Sequence, residues 1–145
     1  MKRVINAVAP IRICDLGGWT DTWFAGHGVV LNMGVYPYVH CQMIFGPAEN
    51  GIGGLTIHAE NYGERYVIDP NDVAYDRHPL LEAAVDAMHV PPGLDIEVNI
   101  FSDAPGGCST GTSAAVSVAL IGALDMLTEG RMTPGEVAAK AHEVE

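Results

Sequence analysis

Between Leu94 and Phe101 the apolar positions Leu94, Ile96, Val98 and Ile100 alternate with Asp95, Glu97, Asn99 and Phe101. Successive side chains of a strand point to opposite faces, so this period of two predicts a strand with one buried face. The same period runs through Gly28 to Phe45, where Leu31, Met33, Val35, Val39, Cys41, Met43 and Phe45 share a face. That segment predicts one long strand, or two short ones broken at Pro37. Val4 to Ile13 predicts another strand, in which Pro10 calls for an edge or a bulge. After a loop at Ala48 to Gly54, Leu55 to Asp69 predicts a hairpin turning near Asn61-Tyr62-Gly63. His58 and Tyr62 within it read as surface strand residues rather than ligands.

Elsewhere the period lengthens to that of a helix. His78 to His89 sets Leu80, Leu81, Ala84, Val85 and Met88 on one face and stops at Pro91-Pro92-Gly93. His78 and His89 lie at its two ends, which argues against a shared metal. The segment after Gly111 is apolar nearly all round and predicts a helix buried among other elements. Thr133-Pro134-Gly135-Glu136 predicts a capping box with Pro at the first helical position. The helix it opens should turn Val137, Ala138, Ala141 and Val144 inward. Strands first, then helices mixed with a strand, give an α+β two-layer fold, and no repeat or linker divides residues 1–145.

Composition narrows the function classes. With 48% hydrophobic and 17% charged residues, the 145-residue chain reads as globular rather than disordered. A formal net charge of -11 argues against nucleic acid or an anionic membrane as partner, because affinity for either comes mainly from Lys and Arg. No apolar run approaches the roughly 18 residues of a membrane span. Asn6, Pro10 and Arg12 interrupt any signal-like core, so a cytoplasmic protein is expected. Cys14, Cys41 and Cys108 are odd in number and far apart, which predicts reduced thiols, with neither a disulfide framework nor a zinc site.

Two stretches carry chemistry. In Ser102 to Leu127 a loop rich in glycine and hydroxyl groups runs directly into the apolar helix. Gly106, Gly107 and Gly111 allow close approach of backbone to a ligand, and Ser109, Thr110, Thr112 and Ser113 add hydroxyls. The first N–H groups of a helix lack partners and, with the dipole, amount to roughly half a positive charge, which suits a phosphate. Thr112 stands where a Walker A loop has Lys, and the glycine spacing does not fit a dinucleotide fingerprint. A loop that merely caps a helix is the plainer alternative, but one cap does not need so many Gly and hydroxyl groups. In a chain this acidic, a phosphate must be held by local N–H donors and a divalent cation.

The second stretch runs from Arg12 to Thr22. It gathers Arg12, Gly17, Gly18, Trp19 and Asp21 within ten positions. A carboxylate accepts from sugar hydroxyls, and an aromatic face packs on the C–H side of a sugar ring. The alternative is a Gly-Gly turn capped by Asp21, with Trp19 in the core.

Pro105-Gly106-Gly107-Cys108-Ser109-Thr110-Gly111-Thr112-Ser113-Ala114 resembles the second motif of the GHMP kinases, P-x-G-x-G-L-G-S-S-A. It departs at Ser109, where the family has Gly, and at Thr110, where it has Leu. Arg12 followed nine positions later by Asp21 in G-G-W-T-D-T resembles the first motif of the family's sugar-1-kinase branch, nearest L-fucokinase and then the heptose kinases. Galactokinase has Glu-His at Gly18-Trp19. Asp15 sits one position late, and Trp23-Phe24 replaces a Pro pair, which leaves the sugar open.

The resemblance covers essentially the whole chain. It implies a ribosomal-protein-S5-domain-2-like fold and an ATP-dependent kinase that phosphorylates a sugar hydroxyl, the anomeric one, of a fucose- or heptose-type substrate. Pro105 through Ser113 would hold ATP, Ser113 and Glu145 would ligate Mg²⁺, and Arg12 would act at the transferred group. Gly17, Gly18, Trp19 and Asp21 would bind the sugar. The family's catalytic Asp motif would follow Glu145, so a truncated kinase, inactive alone, is expected. The alternatives are a non-catalytic nucleotide-binding domain, a degenerate fragment keeping only the fold, and a galactokinase- or mevalonate-kinase-type enzyme.

Overall fold

The computed structural model describes residues 1–18, 20, 24–49 and 51–145, with Asp15 described in its backbone only. Among these residues five strands form one sheet: β1 (Arg3–Leu16), β2 (Leu31–Pro47), β3 (Gly54–Ala59), β4 (Glu64–Ile68) and β5 (Leu94–Ser102). The spatial order is β1-β2-β5-β3-β4, all neighbours antiparallel except β3 and β5. Helices α1 (Pro79–Ala87), α2 (Thr112–Asp125) and α3 (Pro134–Val144) complete the two layers, and a 3₁₀ turn at Glu60–Tyr62 joins β3 to β4.

β5 has the cleanest alternation because it is central, with β2 on one side and β3 on the other. Its Ile96, Val98 and Ile100 join Val39, Cys41 and Met43 of β2 and Leu55 and Ile57 of β3 in the core. α2 lies against this face and buries Ala119, Leu120, Ile121, Ala123 and Leu124, as expected of a helix apolar nearly all round. Burial pushes the Cys41 thiol up to about 12, so it packs as an inert apolar group. The opposite face of the sheet is polar, with hydrogen-bonded pairs Gln42–Asn6, His58–Asn99 and Arg65–Glu97. No helix among the described residues is long and apolar enough to cross a membrane.

Three expectations need correction. Pro37 does not break β2: the pairing steps from Pro10↔Tyr38 to Ile11↔Val35, and the bulge absorbs the proline on the side of edge strand β1. Leu31 and Met33 are 57% and 52% exposed, because β5 covers β2 only from Val39 onward and the β1–β2 ribbon runs on alone. Ala138 is exposed, whereas Ala141 is buried and Val137 and Val144 half-buried. The capping box of α3 forms as expected: Thr133 Oγ1 accepts from Glu136 N, and the Glu136 carboxylate accepts from Thr133 N.

A buried carboxylate stands where the helical pattern gives no hint of one. Glu82 is 2% exposed, and its Oε1 accepts the N–H groups of Arg77 at 3.1 Å and His78 at 2.9 Å. It thereby fastens the entry to α1, whose N-cap His78 makes no side-chain cap.

Candidate nucleotide and phosphate site

The loop from β5 to α2 winds through left-handed backbone at alternate residues: Gly107 has φ 80°, Ser109 φ 56° and Gly111 φ 66°. Glycine adopts this region freely, and a residue with a Cβ does so at a cost of about 1–2 kcal/mol. Ser109 therefore has the conformation of a glycine without its freedom. Ser109→Gly is expected to raise stability by about 0.5–1 kcal/mol, the relieved strain less the extra unfolded-chain entropy of glycine. Thermal melting of the two proteins side by side checks this; an unchanged or lower midpoint counts against strain at Ser109.

Gly111 is also the N-cap of α2, and no side chain caps that end. The first backbone bond into the helix runs from Ala115 N to Gly111 O at 3.0 Å. Among the described residues, the N–H groups of Thr112, Ser113 and Ala114 are thus left for a ligand. The Thr110 and Thr112 hydroxyls lie 3.1 Å apart beside them. The loop, from Gly106 to Ser113, walls a cleft of about 520 Å³. Leu81, Ile100 and Val116 form its apolar part, with Tyr62 and His78 as aromatic wall.

Arg12 comes to the same place from the other end of the sequence. Its backbone N–H donates to Thr110 O at 2.8 Å. Its side chain lies against Gly111 so closely that a Cβ there would sit 2.7 Å from Nε. Ser113 and Glu145, 32 residues apart, also meet, the hydroxyl donating to the carboxylate Oε1, because α3 packs along α2. Two hard oxygens thus meet near the N-terminus of α2, a donor type that Mg²⁺ takes from proteins one or two at a time. Among the described residues no cluster of three or more His, Cys, Asp or Glu could hold a metal on its own.

The remaining residues of the first motif divide. Gly17 has φ 80°, and a Cβ on it would fall 1.9 Å from Val29 O, so the close pass of the neighbouring chain requires glycine there. Gly18 is under no such constraint, with Cys14 Sγ at 3.7 Å in ordinary contact. The Thr20 hydroxyl donates to Gly17 O at 2.8 Å and closes the turn. Trp19 and Asp21 lie outside the described residues.

Pro105 leads into the loop from Ala104, and Cys108 is exposed on it. Tyr62, read from the pattern as a surface strand residue, sits instead in the 3₁₀ turn and lines the cleft, its hydroxyl 3.9 Å from where a Gly106 Cβ would be. His78 also lines the cleft, tilted against the Tyr62 ring at 5.1 Å, with Nε2 3.3 Å from Glu64 Oε2. Neither was visible locally. Parallel pairing of β3 with β5 carries the C-terminal ends of both strands to the same end of the sheet, and so brings Tyr62 to the loop.

The sequence model of the GHMP kinases N terminal domain matches residues 78–145. A mevalonate kinase of Methanothermobacter thermautotrophicus is 46% identical over 61 residues, 42% of this chain and 20% of that protein. The fold is similar to a D-glycero-D-manno-heptose 1-phosphate kinase from Bacteriodes thetaiotaomicron, with TM-score 0.78 and 19% identity over 99% of this chain and 48% of that one. It is also similar to the Methanococcus jannaschii mevalonate kinase, with TM-score 0.66 and 15% identity over 100% of this chain and 46% of that one. The chain thus spans about half the length of these solved structures and a fifth of the curated mevalonate kinase. By sequence, residues 78–145 are similar to the N-terminal domain of the GHMP kinases, and by fold nearly the whole chain is similar to solved kinases about twice its length.

Proposed function

We propose that the protein acts in ATP-dependent phosphorylation of a sugar, the γ-phosphoryl group passing to a hydroxyl, the anomeric one, of a fucose- or heptose-type substrate. The observation that supports it most is the convergence of three separate segments on the N-terminus of α2: the Gly106–Ser113 loop, Arg12 of β1, and Glu145 after α3. Phosphoryl transfer needs little covalent help from a protein, and mainly positioning with neutralisation of phosphate charge. The free N–H groups of Thr112 to Ala114 would donate to phosphate oxygens, and the helix dipole favours negative charge there. The Arg12 guanidinium would stand beside the transferred group. Leu81, Ile100 and Val116 would exclude water around the base, with the Tyr62 ring as a wall.

Ser113 Oγ and Glu145 Oε1 would hold Mg²⁺, which when bound offsets charge on the phosphates. The sugar half rests on the resemblance of Gly17, Gly18, Trp19 and Asp21 to a sugar-kinase motif. Dependence on ATP would place the protein in the cytoplasm.

Because the chain spans about half of its structural neighbours, binding is the direct readout. Calorimetric titration should give one Mg·ATP per chain, and titration with L-fucose, a heptose, galactose and mevalonate should give binding of fucose or heptose only. No heat with Mg·ATP would overturn the kinase reading, and mevalonate binding in place of the sugars would overturn the sugar half alone.

A further inference from the structure

The phosphate loop hangs between two tethers. At its exit the Arg12 N–H donates to Thr110 O. Its root is Ser102, the last residue of β5, and there the partner is a side chain. Asn61 Nδ2 donates to Ser102 O at 2.8 Å, and Asn61 Oδ1 accepts from Ser102 N at 2.7 Å. Between the tethers, among the described residues, no hydrogen bond joins residues 105–109 to the rest of the chain. We infer that Asn61, through this paired bond to Ser102, is a positioning residue that sets the root of the phosphate loop for its ligand; the inference rests on the nucleotide reading above.

The chemistry of the pair explains why asparagine stands there. β3 pairs with β5 only as far as Ala59↔Ile100, so Ser102 has β2 on one side through Val39 and no strand on the other. N–H and C=O of one strand residue point to the same side, and both are open just where β5 must end in a fixed direction. A primary amide carries one acceptor and one donor on the same end, and so replaces the missing peptide group. The order passes on: Ser102 Oγ accepts from Ala104 N at 3.1 Å and donates to Ala104 O at 3.0 Å, turning the chain into the loop. Asn61 is exposed, so burial gives no reason for it to be held so firmly. Its successor Tyr62 reaches the loop at Gly106, so the same turn also forms the opposite wall of the cleft.

A loop ordered before binding need not be ordered by the ligand, and the gain is felt by groups that touch the loop. Asn61→Ala should therefore lower affinity for Mg·ATP about tenfold and leave adenosine, which has no phosphate, unchanged. Asn61→Asp keeps the acceptor for Ser102 N and loses the donor, so it should fall between. In the ligand-free protein, the Ala104 amide should exchange its hydrogen at least about tenfold faster in Asn61→Ala, with Val98 in mid-strand unaffected.

Unchanged exchange at Ala104 overturns the inference whatever the cleft binds. Equal losses for adenosine and Mg·ATP overturn it too, since Asn61 would then be contacting the base. A wild-type chain that binds neither ligand overturns the nucleotide reading instead, and the exchange measurement still decides the role of Asn61.

Discussion

Gly107→Val is expected to weaken Mg·ATP binding at least about a hundredfold while the fold persists. Gly107 has φ 80°, and no heavy atom lies within 4 Å of the position a Cβ would take. Packing within the protein therefore does not oppose the substitution. A branched side chain does pay for the left-handed backbone, about 1–2 kcal/mol, which should appear as a small drop in melting temperature. The larger effect lies outside the protein: Gly107 lines the cleft, so the isopropyl group takes space a phosphate needs beside the backbone. A hundredfold corresponds to about 2.7 kcal/mol, a modest demand for a blocked phosphate contact. Gly107→Ala, with a smaller group and the same backbone cost, should lose less affinity. Calorimetry and thermal melting on the same samples separate the two terms. Unchanged affinity would mean that phosphate does not pass this loop, and collapse of the fold would mean that Gly107 is structural.

Periodicity in the sequence reports what a segment is more surely than what covers it. Leu31 and Met33 keep the strand period of Val39, Cys41 and Met43, yet only the latter three have β5 beside them and α2 above. Ala138 likewise keeps the helical period of Ala141, but α3 meets its neighbours over a narrower face than the pattern suggested. The conformation of the loop before α2 was legible because the requirement is local: positive φ at residues 107, 109 and 111 demands glycine or a strained substitute, and Ser109 is the substitute. The resemblance also put Ser113 and Glu145 together, and the packing of α3 on α2 joins them. Asn61, Tyr62, His78 and Glu82 left no such trace. Each acquires its role from a partner at a distance set by sheet order: Asn61 meets Ser102, 41 residues away, only because β3 lies parallel beside β5.

Glu145→Gln and Ser113→Ala should each change nucleotide binding in a way that depends on the metal. Glu145 is exposed at the C-terminal end of α3, where the helix dipole disfavours an anion, so helix stability gives no reason for a carboxylate there. Its partner is the Ser113 hydroxyl, at the end of α2 where the dipole favours phosphate. If the pair holds Mg²⁺ beside the nucleotide, removing the charged oxygen forfeits an interaction worth roughly 1.5–3 kcal/mol. Affinity for Mg·ATP should then fall about ten- to a hundredfold in Glu145→Gln. Without Mg²⁺ the sign reverses. The same carboxylate then faces the triphosphate as a like charge, in a chain of net charge -11, so Glu145→Gln should bind metal-free ATP as well as the parent or better, most visibly at low ionic strength. Ser113→Ala should weaken Mg·ATP as well but lack the reversal, because it removes no charge. The double variant should lose less than the sum of the two, as residues sharing one ligand do. Affinities equal to the parent's in all three variants, both with and without Mg²⁺, would make Glu145 a solvated helix-end carboxylate and place the metal elsewhere.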